Sequence, residues 1–236
     1  MPHINKRHTD TRTQIIRLGA KLFIEEGYAK TTMKRISREL DLSPGNITFY
    51  FPTKDHLLAV LVSELFDFQN LMIDKVVQEG QSSLLAYCLE FTSIAAACAE
   101  DDAIRDFYIS TYSSPHTLNL IRKNDTKKTK AVFGDFCKDF SEEEWVSTEN
   151  VVSGIEYGTI MTLEQDTPLP LMIEKALDSI MRLYGVPESL RKQKINRVLS
   201  LDYRALGKRI LGEFREYIDK ANEITEKENK KGEPHV

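Results

Sequence analysis

Apolar residues return every three or four positions along most of this chain, the spacing of helices that bury one face. The first such stretch runs from Thr11 to Glu26, with Ile15, Leu18, Leu22 and Phe23 on one side and Gly27 placed to end it. Thr31–Phe51 then reads as two short helices joined by a tight turn. Thr32 caps the first, which carries Met33, Ile36 and Leu40 at helical spacing. Asp41-Leu42-Ser43 makes the turn. Ser43 caps the second, with Pro44 at its first position, where the missing N–H of proline costs nothing. Pro52-Thr53 is a break, and Lys54 opens a longer helix carrying Leu57, Leu58, Leu61, Leu65, Phe66 and Phe68. No stretch alternates at a period of two and no segment repeats, so the predicted fold is all-α.

The remainder continues in the same way. Ser82 or Ser83 opens a helix to about Ala99, and Asp101/Asp102 starts a short one to Tyr112. Ser113-Ser114-Pro115 breaks the chain before a helix expected from about Thr117 to Phe140. Ser141 with Glu144 three residues on is a capping box, opening a helix from Glu142 to about Leu163. Further helices are expected at 171–184, 188–199 and 200–222, the last with Ala221 on its apolar side. Residues 1–9 read as a polar arm and 223–236 as a frayed, charged tail.

Composition changes this picture little. Eleven glycines and eight prolines in 236 residues suit long helices with few tight turns. The three cysteines, Cys88, Cys98 and Cys137, sit in apolar helical patterns and read as reduced, buried thiols. No signal peptide is expected from the polar N-terminus, and no apolar run is expected to span a membrane. Charge is more informative. Net charge is −4, but residues 1–55 hold ten Lys+Arg against six Asp+Glu, leaving a basic head on an acidic body. No catalytic residue, metal ligand set or cofactor site is expected: paired histidines at metal spacing, a glycine-rich phosphate loop and a nucleophile elbow are all missing from the sequence. The carboxylates at 101, 102 and 142–144 sit at helix starts, where the helix dipole accounts for them.

The order helix, Gly, Tyr, then TTMKRISRELDLSPGNITFYFPTKDHL resembles the DNA-binding domain of TetR/AcrR-type bacterial transcription regulators. The likeness covers residues 11 to about 60. It implies an N-terminal three-helix helix-turn-helix domain (1–55) joined to a larger helical ligand-binding and dimerisation domain (56–222), with 223–236 as a tail. The function implied is that of a cytoplasmic, non-enzymatic repressor. It would bind a palindromic double-stranded operator as a homodimer and respond to a small-molecule effector. Two other readings stay open: a helical interaction module without DNA binding, and an enzyme.

Carried onto these positions, the resemblance sets Thr32 and Lys54 against phosphates and turns Lys34, Pro44, Gly45, Asn46, Thr48 and Tyr50 to the major groove, beside Ser43 and Phe49. The residue types suit the task. Asn pairs with adenine, Lys donates to guanine, and a Thr methyl meets the thymine methyl. Thr48 stands where the family often has Tyr, so either it or the neighbouring aromatics Phe49 and Tyr50 make that contact. Ile47 and Phe51 are expected in the core, and Lys6, Arg7 and Arg12 in an arm or tail. A recognition helix this small calls for two copies. The 142–163 helix has two apolar faces, and family members dimerise through a four-helix bundle. The expected interface is Val151, Gly154, Gly158, Met161, Met172, Ala176, Ile180 and Leu183. An aromatic-walled effector pocket is expected from Phe91, Phe107, Tyr108, Tyr112, His116, Trp145, Glu156 and Tyr157, with Glu156 meeting a cationic ligand, pairing with a basic residue, or facing solvent.

Overall fold

The computed structural model describes residues 3–78, 82–163 and 167–231, with the side chains of 3–10, 70, 73–78 and 219–231 left aside, and every regular element among the described residues is an α-helix. In order they are α1 (His3–Glu25), α2 (Met33–Glu39), α3 (Pro44–Tyr50), α4 (Lys54–Gln78), α5 (Ser83–Glu100), α6 (Asp102–Ser113), α7 (Pro115–Phe133), α8 (Glu142–Met161), α9 (Leu169–Leu183), α10 (Glu188–Leu199) and α11 (Tyr203–Lys231).

Local chemistry sets most boundaries. Thr32 Oγ1 accepts the Arg35 N–H at the start of α2, and Ser43 Oγ accepts the Asn46 N–H at the start of α3, each filling a donor the first turn leaves open. Between them α2 closes in a Schellman turn. Leu42 N–H reaches Ser37 O at 2.8 Å, with Asp41 in the left-handed region at φ 51°. The Ser141/Glu144 capping box forms in both directions at the start of α8. Gly185, at φ 68°, ends α9 in the same manner as Asp41 ends α2, with Val186 N–H bonding Met181 O at 3.0 Å.

Two apolar clusters fill the interior. One begins in the head with Ile15, Phe23, Ile36, Ile47, Phe51 and Leu57 and runs without a break through Leu61, Phe68, Ile104, Phe107 and Phe214 into α6 and α11. The other packs α5, α7, α8, α9 and α10 around Tyr184, whose ring stacks on Phe133 at 4.3 Å. Cys88, Cys98 and Cys137 are buried and free, and burial pushes the Cys88 thiol up to about 12.

Four expectations differ from what is observed. α1 starts at His3, so residues 3–9 are helix rather than an arm, and nothing is said of their side chains. α7 stops at Phe133, because the chain turns at Gly134 and again at Cys137, and does not reach Phe140. α11 continues to Lys231, through most of the stretch expected to fray. The side chain of Ala221 and residues 232–236 lie outside the described part. Finally, α5 does have the length and mean hydropathy (1.2) of a membrane span, yet 67% of it is buried inside the bundle, where a central core helix must be apolar on every side.

Candidate nucleic-acid interface and interior cavity

α3 is held from beneath. Ile47 and Phe51 are at most 2% exposed, and burying each side chain contributes about 1.5–3 kcal/mol. That anchoring leaves Pro44, Gly45, Asn46, Thr48 and Phe49 on the outer face, with Tyr50 half-buried. Ser43 is exposed beside them and also serves as the cap. Phe49 is 72% exposed and meets Tyr50 edge-on at 5.1 Å. Thr48 Oγ1 donates back to Pro44 O and Gly45 O at 3.1 and 3.2 Å, so its methyl group and oxygen lone pairs are what it offers outward. On α2, Lys34 and Arg38 lie one turn apart on the exposed side. Arg35 is instead tied to Glu26 and Glu39.

Lys54, expected at a phosphate, has its ammonium engaged within the head. Its ammonium donates to Tyr28 O at 2.8 Å and Thr31 O at 2.9 Å and lies 3.8 Å from the Tyr28 ring centre. Partial burial there holds its pKa below the ordinary lysine value. It clamps the α1–α2 loop, while Tyr28 donates its hydroxyl to Asp55. Thr32 is likewise occupied, as the cap of α2.

The same loop is gripped from the body. Asp106 of α6 accepts the Ala29 N–H at 2.7 Å. Gly27 allows this approach: its φ is +97°, and a Cβ there would lie 2.8 Å from Asp106 Oδ2. Two residues on, α6 turns Tyr108 the other way, into the interior, followed by Thr111 and Tyr112.

These side chains wall a cavity of about 50 Å³ enclosed by α4, α5, α6, α7 and α8. Tyr112 donates to Glu156 at 2.9 Å and Tyr87 does so at 3.4 Å. Lys128 pairs with Glu90 and Asp125, each at 3.1 Å. Burial first, then the nearby carboxylates of Asp125 and Glu149, push Glu156 up to about 8. A second, larger chamber of about 210 Å³ adjoins it, walled by Phe68, Met72, Leu89, Ile210, Leu211 and Phe214 among others. Leu65, Gln69, Glu90, Ile94 and Tyr108 line both.

Of the residues expected around a pocket, Phe91, Tyr108, Tyr112 and Glu156 line the cavity. Phe107 faces the head-side core instead. Trp145 packs between Tyr184 and Phe140 in the second cluster. His116 is exposed, with its ring 6.0 Å from His56 at the start of α4. Tyr157 stands behind Tyr112, ring centres 6.0 Å apart, outside the lining.

On the outer surface, α8 and α9 present an apolar strip. Val151 and Met161 are 52% and 49% exposed, and Leu171 and Leu183 are 43% and 40% exposed. Gly154 and Gly158 lie between Val151 and Met161 on α8, with nothing within 4 Å of where a Cβ would stand. Met172 is half-buried beside them. Ala176, 5% exposed, lines a surface groove with Gly154, Gly158, Leu171 and Met172. Ile180 does not belong to this surface: it is 0% exposed and packs into its own subunit's core, because α9 turns that side toward α5 and α8.

Residues 15–61 match the family described as bacterial regulatory proteins, tetR family. The likeness to the TetR family is carried by these residues, the head of the chain. It is 30% identical over 128 residues to the HTH-type transcriptional regulator HbdR of Aromatoleum sp. (strain CIB), covering 52% of this chain and 55% of that protein. It is 28% identical over 103 residues to the uncharacterized HTH-type transcriptional regulator YuxN of Bacillus subtilis (strain 168), covering 44% and 35%. The chain thus spans about half the length, or less, of these curated relatives. A TetR-family transcriptional regulator from Pectobacterium atrosepticum shares the fold at a TM-score of 0.51 and 14% identity, over 75% of this chain and 93% of that one.

The polar residues of the interior were the ones that sequence reasoning missed. Asp125, Lys128, Glu90 and Glu149 were not singled out. A signal was present in α7: Thr117, Ile121, Asp125, Thr129 and Val132 follow one another at helical spacing, and all five are buried. Polar residues repeating on the buried stripe of a helix mark a polar interior.

Proposed function

We propose that this chain is a DNA-binding transcriptional repressor that reads a palindromic operator as a homodimer and releases it when a small molecule enters the body. The observation carrying this is α3: a short helix anchored by Ile47 and Phe51 that turns Asn46, Thr48 and Phe49 outward, with Lys34 and Arg38 of α2 alongside. In this reading residues 1–55 are the DNA-reading head and 56–222 the effector-binding and dimerising body, and the protein works in the cytoplasm. Asn46 reads a base edge, Phe49 and the Thr48 methyl group pack on thymine methyls, and Lys34 neutralises a phosphate. Thr32, Ser43, Pro44 and Gly45 bring the helix N-terminus close to the backbone. Lys54 contributes by fixing the loop rather than by touching DNA.

Val151, Gly154, Gly158, Met161, Leu171 and Leu183 form the dimer contact, with Met172 at its edge. The two bare glycines let a partner helix approach closely. The effector enters the paired chambers. α6 then links effector to operator, since Tyr108 and Tyr112 face the cavity while Asp106 holds the head's loop. A ligand that shifts α6 re-aims both heads and changes their separation.

Anisotropy titrations of a labelled mixed-sequence duplex test the head assignment. Affinity is expected to fall steeply with salt, and Lys34→Ala is expected to reduce the salt slope by about 1. Binding that does not vary with salt, or a slope unchanged in Lys34→Ala and Arg38→Ala together, would leave the interaction-module reading in its place.

A further inference from the structure

We propose that the paired chambers take an amphiphilic organic cation, its amine-like head lodged among Glu90, Asp125 and Glu156 and its apolar body in the larger chamber. This rests on reading the cavity as the effector site and names the chemical class that site selects.

Four carboxyl groups, Glu90, Asp125, Glu149 and Glu156, are gathered where α5, α7 and α8 meet, and Lys128 is the cation paired among them. The other basic groups nearby are engaged elsewhere. Arg122 donates to Ser153 at 3.1 Å, Arg105 bonds Cys98 O and Asp102, and Arg209, at the rim of the large chamber, pairs with Glu213 at 3.4 Å. One lysine cannot balance four ionised carboxyl groups, and burial favours the neutral form of Glu90, Glu149 and Glu156.

The second observation is separate from this count. Glu90 Oε1 accepts from Lys128, but its Oε2 is enclosed and accepts nothing. Glu90 lies in the wall shared by both chambers. An enclosed acceptor without a donor costs about 1–3 kcal/mol. A ligand carrying an ammonium group brings both the donor and the charge. The faces of Tyr87, Phe91, Tyr108 and Tyr112 around the small chamber suit a cation as well. Beyond Glu90 the larger chamber is mostly apolar, lined by Phe68, Met72, Ile210, Leu211 and Phe214, with Gln69 and Ser93 neutral and Arg209 paired with Glu213, so the favoured ligand is charged at one end only. A carboxylate or phosphate head would add a negative charge to carboxyl groups that already repel one another.

The proton inventory has a consequence that can be measured. Glu156 faces Tyr87 and Glu90 on α5, Tyr108 and Tyr112 on α6, Asp125 and Lys128 on α7, and Glu149 on its own helix. Burial first, then Asp125 and Glu149, outweigh Lys128 and Tyr112 and raise it to about 8, so at neutral pH Glu156 holds a proton. An incoming cation favours the carboxylate and expels that proton. Affinity therefore rises with pH up to about 8 and levels off above it.

Calorimetric titration of the purified full chain with hexyl, octyl and decyl chains, each as amine, alcohol and carboxylate, provides the test. The amine of the best-fitting length is expected to bind at least ten-fold tighter than its alcohol, and the carboxylate more weakly than either. Proton release is read from buffers of different ionisation enthalpy. Glu156→Gln, which keeps an acceptor for Tyr112, and Glu90→Gln should each reduce the amine preference and, for Glu156→Gln, the proton release. Equal binding of amine, alcohol and carboxylate overturns the charge selection while the cavity keeps its role as effector site. Failure of every compound to bind overturns both. Amine binding that is unchanged in the two variants and releases no protons overturns the placement of the head group.

Discussion

Asn46 offers a donor and an acceptor on one planar amide at the exposed turn of α3, which matches the edge that adenine shows in the major groove. Replacing it with alanine is expected to cost about 1–3 kcal/mol in binding to the preferred sequence while leaving mixed-sequence binding nearly intact. Competition titrations at fixed salt measure this, and an unchanged preference would remove α3 as the reading helix. Glu149 makes a prediction about stability. It accepts from Tyr184 at 2.9 Å deep in the second cluster, and burial, with Asp125, lifts it from about 4.5 to about 7. Between those values the folded protein binds more protons than the unfolded chain. Its stability therefore falls as pH rises through this window and is lowest above about 7. Glu149→Gln keeps an acceptor for Tyr184 and removes the charge. Measured by urea unfolding, the variant should gain on the parent by roughly 1–3 kcal/mol between pH 5 and pH 8. An equal difference at both pH values would mean that Glu149 carries no buried charge at neutral pH.

At the scale of elements, α6 is the connection between cavity and head. Gly27→Ala forces a left-handed residue to carry a side chain 2.8 Å from Asp106 Oδ2, and is expected to destabilise the fold by about 1–3 kcal/mol. Asp106→Ala removes the grip on the Ala29 N–H without that strain. It is expected to leave binding to DNA nearly intact while weakening the effect of ligand upon it, and an unaltered response to ligand would place the coupling in α4 instead. The α8–α9 strip has its own test. Val151→Glu puts a charge at one end of it and should convert dimers to monomers in light scattering, while the melting temperature, concentration effects aside, shifts little because Val151 touches solvent in the single subunit.

These elements differ in how far the sequence announced them. The caps at Thr32, Ser43 and Ser141 were legible because each is made by residues three apart, and Ile47 and Phe51 because a short helix has one apolar side to bury. The end of α7 was not, since it is decided by the turn at Gly134 and Cys137 tucking its Sγ against Tyr184 O at 3.2 Å, a contact 47 residues away in sequence. Ile180 looked suited to an interface and Trp145 to a pocket. Which neighbour covers an apolar side chain is a tertiary fact that spacing does not encode. The ionic cluster is the strongest case: Glu90, Asp125 and Lys128 look like surface charge until α5 and α7 bring them together.

For the whole molecule, the head and body share one continuous apolar cluster, from Ile15 through Leu61 to Phe214, so a change in the body is transmitted through packed side chains rather than across a loose linker. In the proposed reading, an acidic body beneath a basic head would turn DNA toward α2 and α3, and two copies joined through α8 and α9 would present two such helices. The most direct measurement is selection of bound duplexes from a random pool by the full chain. The account expects a palindrome whose half-sites lie one helical turn, ~34–36 Å, or a multiple apart, and expects Asn46→Ala to lose that preference. Recovery of no common sequence, or of one that Asn46→Ala selects equally well, would contradict it.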